Sequence, residues 1–61
     1  MGDFLTIPEV AQRLRIGRTL AYTLARRGEL PVVRFGKLVR VPADRLEEWL
    51  ARRVQEGQPN R

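Results

Sequence analysis

The sequence predicts a mostly α-helical domain with one small β-hairpin, in the order α-α-β-β-α. Three observations carry this. Apolar residues recur at helical spacing in three separate stretches, centred near Val10, Leu24 and Trp49. Two runs rich in β-branched and aromatic residues, Val32 to Phe35 and Leu38 to Val41, flank Gly36-Lys37. At 61 residues the chain has room for one domain with a small core, expected over residues 1–56, followed by a flexible tail over 57–61.

Met1 to Leu5 is a short lead-in open to an extended conformation, with Phe4 and Leu5 available for packing. The first helix has its start written into Thr6-Ile7-Pro8-Glu9. Thr6 can cap, Glu9 three residues on completes a capping box, and Pro8 sits in the first turn, where its missing N–H costs nothing. Ile7, Val10, Ala11 and Leu14 then form one apolar face, and the helix is expected to end near Arg15. Arg15-Ile16-Gly17 is long enough only for a turn, with Ile16 plugging the space between two helices and Gly17 a weak N-cap. A second helix should run from Arg18 to Arg27, with Gly28 in the left-handed position that closes it. Pro31 stops any continuation.

The hairpin has two candidate registers. A two-residue Gly36-Lys37 loop pairs Phe35 with Leu38 and Val33 with Arg40, mixing charge and hydrophobe on one face. A three-residue loop gathers Val33, Phe35, Val39 and Val41 on one face and puts Arg34 and Arg40 together on the other. The cleaner sorting favours the odd-length loop, although a leading glycine suits a two-residue type II′ turn. Lys37 lies at the tip in either case. Pro42-Ala43-Asp44 opens a third helix whose stripe of Leu46, Trp49, Leu50 and Val54 should face the core. Asp44, Glu47 and Glu48 lie towards its positive end, and Arg52 and Arg53 towards its negative end.

Composition narrows the function. With no cysteine and no histidine, disulfides, thiol chemistry and zinc-finger ligand sets are absent, as is the commonest general base. No metal or other cofactor is expected, and catalysis has a poor inventory. No apolar run approaches the ~20 residues that cross a bilayer, and no secretory signal pattern is evident, so the cytoplasm is the expected location and no membrane partner is implied. The start Met1-Gly2-Asp3-Phe4-Leu5-Thr6 fits a loose myristoylation pattern, but such short patterns match by chance and an acid directly after the glycine is unpromising.

The net charge of +5 is unevenly spread. Between Val10 and Val41 there are eight basic side chains against the single acid Glu29, whereas the flanks hold four basic residues and six acids. Such a concentrated excess points to a polyanion on one face. The second helix lies at its centre. On helical spacing Arg18, Tyr22 and Arg26 form one strip with Thr19 and Thr23 beside it, while Ala21, Leu24 and Ala25 fall on the other side. Two helices joined by a tight turn, the second carrying a basic, aromatic and hydroxyl face, is a helix-turn-helix arrangement suited to a DNA groove.

The residues Leu5-Thr6-Ile7-Pro8-Glu9-Val10-Ala11, Leu14, Ile16, Tyr22, Arg27-Gly28-Glu29-Leu30-Pro31, Val33, Gly36, Arg40, Pro42 and Leu46-Glu47-Glu48-Trp49-Leu50 occur in a familiar series. Over residues 5–50 the chain resembles the excisionase-family helix-turn-helix domains, small winged relatives of the MerR-type DNA-binding domain. The resemblance implies a winged helix-turn-helix whose second helix enters the major groove and whose hairpin wing lies on the adjacent backbone or minor groove. Members are recombination directionality factors that bind and bend DNA near attachment sites and help an integrase excise the element; others are small transcriptional regulators, and none is an enzyme. The implied partners are double-stranded DNA, an integrase and further copies of the same chain, with a nucleoid-associated location.

Carried over, the recognition-helix positions fall on Arg18, Thr19, Tyr22, Thr23 and Arg26, and the wing positions on Arg34, Lys37 and Arg40. Two positions depart from the family pattern: Gly17 replaces a frequent serine, and Leu38 stands where a basic residue is frequent. The latter leaves room for an apolar wedge or a protein contact. Arg18, in the first turn, is the first choice for reading guanine. Arg26 suits either a base or a phosphate, and Tyr22 has a rival role in packing its ring against the wing. A different class of function, a protein-interaction module using Trp49, Leu38 and the acidic third helix, is the remaining alternative.

Overall fold

The computed structural model describes residues 3–57. The elements are β1 (Phe4–Leu5), α1 (Ile7–Leu14), α2 (Arg18–Arg26), β2 (Val33–Phe35), β3 (Leu38–Pro42) and α3 (Ala43–Gly57). The expected order is present with one addition: Phe4–Leu5, at the end of the lead-in, is a paired strand. Apart from Gly57, the expected tail lies outside the described residues, as do Met1 and Gly2.

The capping box at the start of α1 is complete. The Glu9 backbone N–H donates to the Thr6 hydroxyl at 3.2 Å, and the Thr6 N–H donates to the Glu9 carboxylate at 2.8 Å. The helix closes with paired bonds from the Ile16 N–H to the Ala11 carbonyl (2.9 Å) and from the Arg15 N–H to the Gln12 carbonyl (3.2 Å), the Schellman pattern. The left-handed residue this closure needs is Arg15, at φ 58°, a conformation that costs a side-chain-bearing residue roughly 1–2 kcal/mol. Helix α2 ends the same way, with the Glu29 N–H on the Leu24 carbonyl (3.0 Å) and the Gly28 N–H on the Ala25 carbonyl (3.2 Å). There the left-handed position falls on Gly28, at φ 78°, as expected.

The sheet has the order β1-β3-β2, both pairs antiparallel. In the hairpin Phe35 pairs with Leu38, Arg34 with Val39 and Val33 with Arg40, so the loop is the two-residue Gly36-Lys37. The odd-length loop expected from sorting is therefore overturned. Gly36 has φ 62° while Lys37 has no positive φ, the pattern of a type II′ turn, whose twist matches that of the strands. Sorting misled because the outer face of the sheet is itself apolar. Phe4, opposite Pro42, and Phe35, opposite Leu38, lie on that face with their ring centroids 5.8 Å apart, edge to face. The inner face carries Leu5, Val39 and Val41, with Arg34 among them.

The core is built from Ile7, Val10 and Ala11 of α1, Ala21 and Ala25 of α2, Leu30, Val41 of β3 and Leu46 of α3. Ile16 and Trp49 pack against it, half-buried. Helix α3 follows β3 without a loop, and its Ala43 N–H is taken by the Asp3 carbonyl at 2.8 Å, so β1 and the α3 start hold one another. The expected α3 stripe is only partly buried. Val54 is 63 % exposed, because the helix outruns the body and every residue from Ala51 to Gln55 is exposed. Arg53 accordingly does not serve the helix end. Its guanidinium lies 4.7 Å from the Trp49 ring centroid and 3.2 Å from a Glu29 carboxylate oxygen.

Two glycines with open surroundings make opposite demands. Gly17 is extended at φ −71° and makes no side-chain cap, and a Cβ there meets nothing within 4 Å. Gly17→Ser is expected to stabilise by a few tenths of a kcal/mol by supplying the missing cap. Gly28→Ser, equally free of clashes, is expected to destabilise by about 1 kcal/mol through its left-handed backbone, lowering Tm by about 4–8 °C in a domain of this size. Thermal denaturation of the two variants beside the parent checks both signs.

Candidate nucleic-acid interface

The orientation of α2 follows from its smallest residues. Ala21 and Ala25 are its buried positions, and a helix held by two methyl-bearing residues turns its long side chains outward. Arg18, Thr19, Tyr22 and Arg26 are all exposed, Tyr22 by 47 %. No acid lies on α2, and neither Arg18 nor Arg26 is in an ion pair among the described residues. The four therefore lie on one positive surface to which α2 adds no acid, with Glu9 of α1 across a shallow cleft from Arg18.

Thr23 differs from its neighbours. It is half-buried, and its hydroxyl donates to the Thr19 carbonyl at 2.8 Å. A hydroxyl whose proton is so engaged offers only lone pairs and a methyl group to a ligand, and phosphate oxygens need a donor. Between donating to a phosphate and laying its methyl group on a thymine, the second is the contact this geometry favours for Thr23.

Arg27 does not join the strip. Its Nε lies 3.5 Å from Glu29, which also receives Arg53. The one acid in the basic centre of the sequence thus holds the arginine that ends α2 and one arginine of α3. All three side chains are well solvated, so these pairs order the surface more than they stabilise the fold.

The hairpin register separates the wing residues. Lys37 is exposed at the tip, as expected. Arg34 lies on the inner face opposite Val39, turned towards α2. Arg40 lies one residue on in β3 and so on the outer face, half-buried, with its Nη1 donating to the Val39 carbonyl at 2.9 Å. The expectation that Arg34 and Arg40 share a face fails with the register that produced it. Arg34, Arg26 and Tyr22 instead border one notch of about 160 Å³, floored by Ile7, Ala25 and Val39. Tyr22 thus has both of its suggested positions at once, its ring beside the wing and its edge in the open.

Sequence reasoning missed the pairing of β1, the phenylalanine pair and the stacking of Arg53 on Trp49. A lone Phe4 in a lead-in carries no periodic signal, and a contact between α3 and the loop after α2 has no local signature. Among the described residues no group of acidic side chains is placed to hold a metal ion, and no helix is long and apolar enough to cross a membrane.

The helix-turn-helix domain family matches residues 4–54, nearly the whole described chain. A Streptomyces ambofaciens protein named "Excisionase" is 33 % identical over 55 residues, covering 90 % of this chain and 89 % of that one. A "Probable excisionase" of Saccharopolyspora erythraea is 38 % identical over 52 residues, covering 85 % of this chain and 53 % of that one, so the chain spans about half of its length. A Mycobacterium tuberculosis protein, whose name speaks of DNA binding alone, is 41 % identical over 48 residues, covering 79 % of this chain and 62 % of that one. No solved structure matches. By the family match over residues 4–54 and by these relatives, the chain belongs to the excisionase family of helix-turn-helix domains.

Proposed function

We propose that this chain is a sequence-specific double-stranded-DNA-binding protein that acts as an excisionase, binding and bending attachment-site DNA so that an integrase excises the element. It is a binding protein rather than an enzyme, and its place of action is DNA in the cytoplasm. The observation that carries the reading is the acid-free strip of Arg18, Thr19, Tyr22 and Arg26 on α2, set beside a wing that adds Arg34 and Lys37. An α-helix fits the major groove, where bidentate arginine contacts to guanine are worth ~1–3 kcal/mol of discrimination. Arg18, in the first turn, has the base-reading role. Lys37 at the wing tip holds the backbone, a contact that positions without specifying. Arg40 has the weaker claim to DNA, since its guanidinium is turned onto its own strand.

A single domain of this size covers little DNA, so tight binding needs several copies on neighbouring sites. The second reading, a small transcriptional regulator, draws on the Mycobacterium tuberculosis relative, which is named for DNA binding alone. Both use the same interface, and finding an integrase gene beside this one would favour excision. A gel shift on an attachment-site fragment from the same genomic neighbourhood, with bending and stoichiometry read together, tests the proposal. Binding to duplex DNA that does not weaken with salt would sink both readings and favour a protein-interaction module.

Arg18→Ala is expected to relax sequence preference, whereas Lys37→Ala lowers affinity evenly on all sequences and reduces the salt slope by about 1. Equal losses on specific and random duplex for both variants would contradict this division. Thr23→Val, which keeps the shape and deletes a hydroxyl already engaged, is expected to leave affinity within about twofold, the scale of a few tenths of a kcal/mol. A tenfold loss in the same titration would mean that the hydroxyl turns to DNA.

A further inference from the structure

We propose that the notch between α2 and the wing is a receptor for one phosphate of the DNA backbone, gripped jointly by Arg26, Arg34 and the Tyr22 hydroxyl. This deepens the proposed DNA binding and rests on it. The notch, about 160 Å³, has an apolar floor of Ile7, Ala25 and Val39 and a polar rim of those three side chains. The notch is open to solvent on one side, so a phosphate attached to a duplex can approach it. Neither guanidinium is in an ion pair or side-chain hydrogen bond among the described residues. Arg27 and Arg53 are treated differently, sharing the one carboxylate of Glu29. Two unpaired guanidiniums on one rim repel each other until an anion lies between them. Guanidinium forks match phosphate oxygens bidentately, and the phenol adds a donor. An apolar floor lowers the local dielectric and strengthens these contacts.

The notch exists because of the hairpin register. In the two-residue loop Arg34 opposes Val39 on the face turned to α2; a three-residue loop would carry it to the outer face beside Arg40. Helix and wing then hold the same phosphate, so the wing's angle on DNA is set relative to the helix that reads the site.

The test uses a duplex selected by the full chain from a random pool, with single methylphosphonates placed in turn along both strands. Neutralising one phosphate is expected to weaken the parent at least tenfold, the scale of a hydrogen bond to a charged group. Arg34→Ala and Arg26→Ala should each lose that sensitivity at the same position and no other, Arg34→Lys should not restore it, and Tyr22→Phe should reduce it. Arg26 and Arg34 mapping to different phosphates, or losses that add to every methylphosphonate, would overturn the joint grip while leaving DNA binding intact. If no position is sensitive and inorganic phosphate alone shifts the Arg26 and Arg34 side-chain resonances, the notch belongs to a free phosphate and the backbone assignment falls. A chain that binds no duplex even at low salt defeats the proposed function as well, and so is distinguishable from failure of the notch alone.

Discussion

What α2 presents to the outside depends on how closely it is held on the inside. Its buried contacts are two alanine methyl groups, Ala21 and Ala25, set among Ile7, Val10, Ala11 and Leu30. Small residues let two helices approach closely, and close approach fixes rotation: a core packed to crystal-like density does not admit a helix turned by a third of a revolution. Larger side chains at those positions would push α2 away and loosen the relation between its outward strip and the wing. The rest of the chain braces this contact. Both helices close with the same Schellman geometry, so the turn between them and the loop after α2 leave at defined angles. At the first of these closures Arg15 accepts a left-handed backbone that glycine would take without strain.

The fold was legible where a local chemical demand has a local signature. The Thr6–Glu9 capping box, the left-handed Gly28 and the breaks between elements are all of that kind, and each is where its residues imply. The orientation of α2 was legible too, because two buried alanines facing two arginines and a tyrosine admit one amphipathic solution. The hairpin register was not, and the reason is physical. Sorting by hydrophobicity assumes that a sheet has one apolar and one polar face. Here the outer face carries Phe4, Phe35 and Leu38, each about half exposed, and the phenylalanines cover part of each other's surface. That pairing depends on β1, two residues long and with no periodicity to reveal it. Once the outer face holds apolar residues of its own, the turn preference of Gly36 decides the register.

The same point limits what sequence could say of the binding surface. Residue types and their helical spacing place Arg18, Tyr22 and Arg26 together, whatever the fold around them. Whether a wing residue joins them depends on strand parity, which a single loop residue inverts. Arg34 and Arg40 were indistinguishable as two arginines in two short strands, and the structure gives them different surroundings: Arg34 borders a notch with Tyr22 and Arg26, whereas Arg40 donates to the Val39 carbonyl and borders another notch with Tyr22 and Lys37. Two arginines that look alike in the sequence differ in what they have free to offer once the hairpin is formed.

Charge and stability pull against each other in so small a chain. Eight basic residues and one acid in the central 32 positions repel one another in the free protein, and the hydrophobic core that opposes this repulsion is only eight side chains deep. Glu29 relieves part of it where α2 ends, by drawing in Arg27 and Arg53 on the side away from Arg26. Among the described residues no acid performs that service between α2 and the wing. A second glutamate there would lower the repulsion and cancel the attraction for a polyanion, so the fold leaves that strain in place. A ligand that binds only the folded chain stabilises it in proportion to how far its concentration exceeds Kd. On that argument the free domain is the less stable partner, and the surface that weakens it alone is the one through which DNA would strengthen it.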